Sequence, residues 1–217
     1  MTELTLVIGN KNYSSWSMRP WLAMKQNGLQ FNEIRIPMDT SEFYERISQY
    51  SPSNKVPVLL HGSQKIWESL AILEYLADEF PDLNWYPKDK TAKIIARSIS
   101  FEICTGFNKL RENMPMNCCA RYAGKGMALG VKKDIERITH IWQECRQKFG
   151  AGGDLLFGEF TIADAMYAPV VMRFVTYGVE VNKVCQDYME AILRLPGMQE
   201  WVKAGEEEEE VLSKYEF

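Results

Sequence analysis

Ser51-Pro-Ser-Asn-Lys-Val-Pro-Val-Leu-Leu-His-Gly-Ser-Gln-Lys-Ile-Trp-Glu-Ser-Leu-Ala-Ile-Leu-Glu-Tyr75 is the stretch from which the fold is read. Val56 to Leu60 is a short β-rich run, His61 to Gln64 carries the turn residues Gly62 and Ser63, and Lys65 to Trp67 is a second run, so the segment predicts a hairpin. From Ser69 the period changes. Ile72, Leu73, Leu76, Ala77 and Phe80 recur at helical spacing until Pro81 stops the pattern.

Upstream, Leu4 to Gly9 predicts a buried strand. A polar loop, Asn10 to Ser15, leads into a helix carrying Met18, Trp21, Leu22 and Lys25 and ending at Gly28. Phe31 to Pro37 alternates as a second strand, and Glu42 to Gln49 is a short helix. The order is then β-α-β-α-β-β-α, that of a thioredoxin-like domain, with helices covering a mixed sheet. The fold class read from the pattern is α/β followed by all-α. Residues 1–82 form the thioredoxin-like unit, 83–90 a linker with Pro87 among polar residues, and 91–217 an all-helical domain. Helical patterns cover Thr91 to Met114, Gly130 to Phe149, Thr161 to Tyr177 and Val181 to Leu193. Thr161-Ile-Ala-Asp164 has the form of a capping box, a device that fixes a helix start. Glu206 to Glu210 reads as a solvated acidic tail.

With 46% hydrophobic and 25% charged residues, the chain has the composition of a folded globular protein. No apolar run approaches the ~18 residues of a membrane span, and the start lacks a basic leader, so the expected location is the cytoplasm. Residues 1–82 carry 7 basic and 10 acidic side chains, and residues 83–217 carry 18 and 19, so neither half has the basic excess of a nucleic-acid binder. Five cysteines without a Cys-x-x-Cys pair predict reduced thiols. Two histidines, His61 and His140, cannot assemble a zinc site or a histidine triad, so no metal is expected.

Two places carry chemistry. In the opening stretch, Pro57 begins a strand, and a cis bond there would turn the backbone of Val56 sideways towards an extended ligand. Glu68 and Ser69 stand where strand becomes helix, where N–H groups, a hydroxyl and the helix dipole meet a carboxylate. The residues alone also allow an ordinary edge proline and a plain N-cap. The second place is the loop before the first helix. Thioredoxin-like proteins with cysteine chemistry place the cysteine there, five residues ahead of an arginine, and counting back from Arg19 gives Ser14.

Val-Pro-Val-Leu followed by Glu-Ser-x-Ala-Ile-x-x-Tyr-Leu resembles the glutathione-binding half of the glutathione transferase family, and the Thr161 to Asp164 box resembles one in that family's helical domain. The resemblance spans nearly the whole chain. It implies glutathione as cosubstrate, a cis Pro57, Val56 pairing with the cysteinyl backbone, and Glu68 with Ser69 gripping the γ-glutamyl end. Lys55 is a candidate for a glutathione carboxylate or is a solvated surface lysine. The family likeness also implies a homodimer, with the first unit of one subunit against the helical half of the other.

The expected chemistry is attack of a glutathione thiolate on a small electrophile, of the kind used in detoxification. A hydroxyl can donate to the sulfur and favour its ionised form. Ser14 is the first choice, Ser15 the second and Tyr13 the third, and the alternative is that these residues only cap the helix. Zeta-class members carry Ser-Ser-Cys here, whereas this chain has Ser14-Ser15-Trp16. A zeta-like maleylacetoacetate isomerase is therefore the runner-up, and a non-catalytic interaction module a third reading. An acceptor pocket is expected between the two units; Trp16, the Phe107 to Met116 region and Tyr167 are candidates for its lining, but helical aromatics and methionines are core more often than pocket, and they are assigned no role.

Overall fold

A computed structural model describes residues 3–217. The first unit is a four-stranded sheet. β1 (Leu4–Ile8) is followed by α1 (Ser15–Gln26), β2 (Asn32–Arg35), α2 (Ser41–Tyr50), β3 (Val58–His61), β4 (Gln64–Trp67) and α3 (Ser69–Glu79). The strand order is β2-β1-β3-β4, with β1 parallel to β2 and antiparallel to β3. Period-two alternation sorts the sheet's two faces. Leu4, Leu6, Ile8 and Leu59 pack with α1 and α3 in the main core. Val7 and Val58 join Phe43 and Ile47 of α2 in a smaller cluster.

The second unit is helical, with α4 (Lys90–Thr105), α5 (Asn108–Asn113), α6 (Val131–Phe149), α7 (Ile162–Tyr177), α8 (Lys183–Arg194) and α9 (Pro196–Glu206), then a 3₁₀ turn at Ser213–Tyr215. Every residue of α7 except Val175 is buried, and the helix packs on both α1 and α4. A helix apolar on all sides has no face for water and must sit centrally. Its start is fixed by Asp164, which accepts from Thr161 N at 2.8 Å, Thr161 Oγ1 at 3.0 Å and Leu156 N at 3.1 Å.

Four differences from the sequence reading have physical causes. The helix expected over Thr91 to Met114 is broken, because Gly106 and Phe107, the latter at φ 58°, end α4 and start α5. The last helical pattern read from the sequence ends at Leu193, but Pro196 opens a further helix, α9, from its first turn, where the missing N–H costs nothing. The segment taken as a linker packs against both units: Trp85 and Tyr86 are buried, and Trp85 O accepts from Ile162 N at 2.9 Å. The tract Glu206 to Glu210 is not a freely solvated tail. Glu208 accepts from Lys11 N at 2.7 Å and Asn12 N at 3.2 Å, and Glu210 pairs with Arg35 at 2.8 Å.

Candidate active site at the mouth of the first helix

The loop after β1 delivers three hydroxyls to the junction of the two units, and the structure gives each a different partner. Ser14 is the N-cap residue of α1 but caps no helical N–H with its side chain. Its Oγ donates to Ser17 Oγ at 2.7 Å, which in turn accepts from Gly9 N at 3.2 Å. Ser15 Oγ accepts from Arg173 Nη2 at 3.1 Å, and its own proton has no acceptor among the described residues. Tyr13 OH donates to Glu216 Oε1 at 2.6 Å, and its ring stacks on Tyr215 with centroids 5.3 Å apart. Burial and that carboxylate push the Tyr13 hydroxyl up to about 12. Both serines are nearly covered, at 5% and 7% exposure.

Beside this loop lies an opening of about 170 Å³ lined by Trp16, Ser53, Lys55, Val56, Pro57, Glu68 and Ser69. The turn Ser51–Asn54 brings Ser53 to its lining, with Ser51 Oγ accepting from Lys55 N at 3.2 Å. The Val56–Pro57 peptide bond is cis. Val56 lies ahead of the β3 ladder, whose pairing with β4 begins at Val58, so its backbone is outside that pairing. Glu68 adopts φ 69° and ψ 124° as it hands β4 to α3. A non-glycine residue held there costs on the order of 1 to 3 kcal/mol, a strain found where side chains are held for function. Lys55 and Glu68 are exposed, so one cation and one carboxylate flank the opening. Ser69 is buried, and its Oγ accepts from Arg19 Nη1 at 3.4 Å. The opening therefore gathers the five candidate ligand-holding residues, while Ser14 and Ser15 stand next to it without lining it.

Three arginines surround the mouth of α1, and the sequence reading gave them no role. Arg19 lies 4.1 Å from the Trp16 ring centroid and Arg111 lies 5.4 Å from it. Arg173 holds Ser15 and also donates to Met114 O at 2.9 Å. Among the described residues none of the three forms an ion pair with a carboxylate, and Arg19 Nε is buried without a partner. Burial first, and then the neighbouring guanidiniums, pull Arg19 down to about 10 and Arg173 to about 9, so both stay charged at neutral pH. An uncompensated positive field at a helix N-terminus favours an anion. The sequence held one signal for this, since Arg173 is the only cationic residue in the apolar run Ile162–Tyr177.

The description "Glutathione S-transferase, N-terminal domain" matches residues 13–79, and "Glutathione S-transferase, C-terminal domain" matches residues 129–204. The chain belongs to the glutathione S-transferase family. Among its relatives, a probable maleylacetoacetate isomerase of Caenorhabditis elegans is 27% identical over 158 residues, covering 71% of this chain and 73% of that protein. Glutathione S-transferase L1 of Arabidopsis thaliana is 24% identical over 189 residues, covering 87% and 72%. A Burkholderia glutathione transferase homolog, solved with bound glutathione, superposes with a TM-score of 0.72 at 24% identity, covering 95% of this chain and all of that one. A glutathione S-transferase from the Antarctic clam Laternula elliptica gives a TM-score of 0.73 at 18% identity. These likenesses establish the fold of this transferase family member and its thioredoxin-like and helical domains, while transferases and isomerases stand side by side among its relatives.

Proposed function

We propose that the chain catalyses attack of the glutathione thiolate on a small electrophile. Val56 offers its backbone to the cysteinyl part of glutathione beside cis Pro57, Glu68 and Ser69 hold the γ-glutamyl end, and Lys55 meets a carboxylate. Ser14, with Ser15 beside it, donates to the sulfur. The observation that carries this reading is the juxtaposition of an opening of about 170 Å³ flanked by Lys55 and Glu68 with a helix mouth where Ser15 accepts from Arg173 and Arg19 lies over Trp16, neither arginine having a carboxylate partner among the described residues. Lowering a thiol by ~2 units at neutral pH requires roughly 2.7 kcal/mol of preference for the thiolate. One charge-assisted hydrogen bond of about 1.5 to 3 kcal/mol, with the helix dipole, supplies it without a metal.

Retention on immobilised glutathione with elution by free glutathione, followed by conjugation of an aromatic chloride, tests the reading. A protein that is not retained, or is retained but forms no conjugate, contradicts it. The latter outcome favours the interaction-module reading. Named maleylacetoacetate isomerases among the relatives keep the isomerase as a second reading. Trp16, standing where zeta-class members have cysteine, counts against it, and isomerisation without conjugation would reverse the order. We also propose a cytoplasmic homodimer; no helix among the described residues is long and apolar enough to cross a membrane. Light scattering at micromolar concentration should report twice the 25.1 kDa chain mass, and a single-chain mass would refute the dimer.

A further inference from the structure

We propose that residues 207–217 act as a strap that holds the serine loop in its working shape, with Glu208 and Glu216 as positioning residues for Ser14. This rests on the reading of Ser14 given above. The strap reaches each of the three residues before Ser14. The Glu208 carboxylate, whose side chain is 6% exposed, accepts from the successive backbone N–H groups of Lys11 and Asn12 at 2.7 and 3.2 Å. Glu216 accepts from Tyr13 OH at 2.6 Å, and the same carboxylate accepts from Asn117 Nδ2 at 3.0 Å and from Tyr122 OH. Tyr215 stacks on Tyr13. The strap is itself tied down at Arg35 through Glu210 and at Asp39 through Lys214, and Phe217 packs on Tyr122 and Tyr177.

From its other side the loop is held by the helical unit. Asn12 Oδ1 accepts from Cys118 N at 2.7 Å and Cys119 N at 3.1 Å, and Lys11 O accepts from Trp201 Nε1 at 2.8 Å. Gly205 lets α9 lie directly on the loop, since a Cβ there would come within 3.1 Å of Asn12 N. Ser14 N then donates to Asn10 O at 2.7 Å, so the place of the hydroxyl follows from the shape of residues 10–13. A loop rich in polar residues has many shapes, and two carboxylates from a segment about 200 positions away in sequence join the ties from the helical unit and the Tyr13 ring in selecting one. No strap residue lines the opening beside Glu68 and Ser69. The strap should therefore govern sulfur activation and leave glutathione affinity alone.

The test uses the full chain with Glu208→Gln, Glu216→Gln and both together, and Glu209→Gln as a strap variant that makes none of these contacts. Glutamine keeps one acceptor, so the fold is retained, and far-UV circular dichroism checks it. Thiolate absorbance of bound glutathione against pH, KM for glutathione, and hydrogen exchange of the 9–14 segment are measured. The expected result is faster exchange and a bound thiol pKa raised by about one unit, from about 6.5 to about 7.5, a roughly threefold fall in thiolate at pH 7, with KM within about twofold of wild type. The double variant should exceed either single one, and Glu209→Gln should match wild type. Variants that titrate like wild type, or that lose only thermal stability or KM, overturn the strap's role while leaving the glutathione reading intact. A wild-type protein that binds glutathione without a thiolate signal overturns the reading and the strap's role together.

Discussion

The proton of Ser14 goes to Ser17, and Ser15 Oγ accepts from Arg173 while its own proton has no acceptor among the described residues. An incoming sulfur can recruit either, so the two serines make distinct predictions. Ser14→Ala should leave glutathione bound and raise its thiol pKa by about one to two units, on the order of 1.4 to 2.7 kcal/mol. Thiolate absorbance against pH decides; a shift in Ser15→Ala with none in Ser14→Ala would move the role to Ser15. Tyr13 is a poor rival because its hydroxyl already serves Glu216. For Glu68→Gln and Ser69→Ala the expected effect is a raised KM for glutathione with kcat nearly kept, since in the proposed reading these residues hold the remote γ-glutamyl end equally in ground and transition states. Equal losses of kcat and kcat/KM with KM unmoved would contradict that role.

Among the elements, α7 depends most visibly on one side chain. Asp164 satisfies Thr161 N, Thr161 Oγ1 and Leu156 N in a fully covered place. Asp164→Ala orphans these donors and should cost about 2 to 5 kcal/mol by urea unfolding, with less than 0.5 kcal/mol contradicting the account. Burial pushes the Asp164 carboxyl up to about 6. The native chain then binds this proton more tightly than the unfolded chain, so the contribution of this group to stability falls as pH rises from about 4 to about 6 and is level above that. Measured as wild type minus Asp164→Asn, stability should drop by about 3 kcal/mol across that window, and a flat difference would refute it.

Elements that announce themselves locally were legible in the sequence. The hairpin at Val58–Trp67 and the α7 box both carry their own turn or cap residues. The break at Phe107 was not, because apolar spacing runs through it and the left-handed φ leaves no mark in a phenylalanine. Val56, Pro57, Glu68 and Ser69 fall within one short stretch and could be read together. Arg111, Arg173 and Glu208 reach the site through tertiary packing, and a charge run such as Glu206 to Glu210 looks solvated until its partners at Lys11, Asn12 and Arg35 are placed beside it.

For the whole molecule, the two units share one core that runs from Leu4 and Leu6 through Trp21 to Met166 and Trp201. The Trp21 and Trp201 rings meet edge to face at 5.1 Å, α1 lies on α7, and Ser15, Trp85 and the strap add polar ties across the junction. Interfaces between domains of one chain are commonly smaller and more polar, which lets such domains unfold separately. A shared apolar core removes that freedom, because neither unit can leave without exposing the buried face of the other. Urea unfolding should therefore be one transition, coincident by far-UV circular dichroism and by tryptophan fluorescence, whose reporters include Trp16, Trp21 and Trp67 in the first unit and Trp85, Trp142 and Trp201 beyond it. Met166→Ala, in the middle of α7 and fully covered, should lower stability by about 2 to 5 kcal/mol and move both midpoints together. If the fluorescence and far-UV transitions separated, or either became biphasic with only one phase moved by Met166→Ala, the junction would be an ordinary domain contact, and the arginines at the mouth of α1 would be free to move with the helical unit.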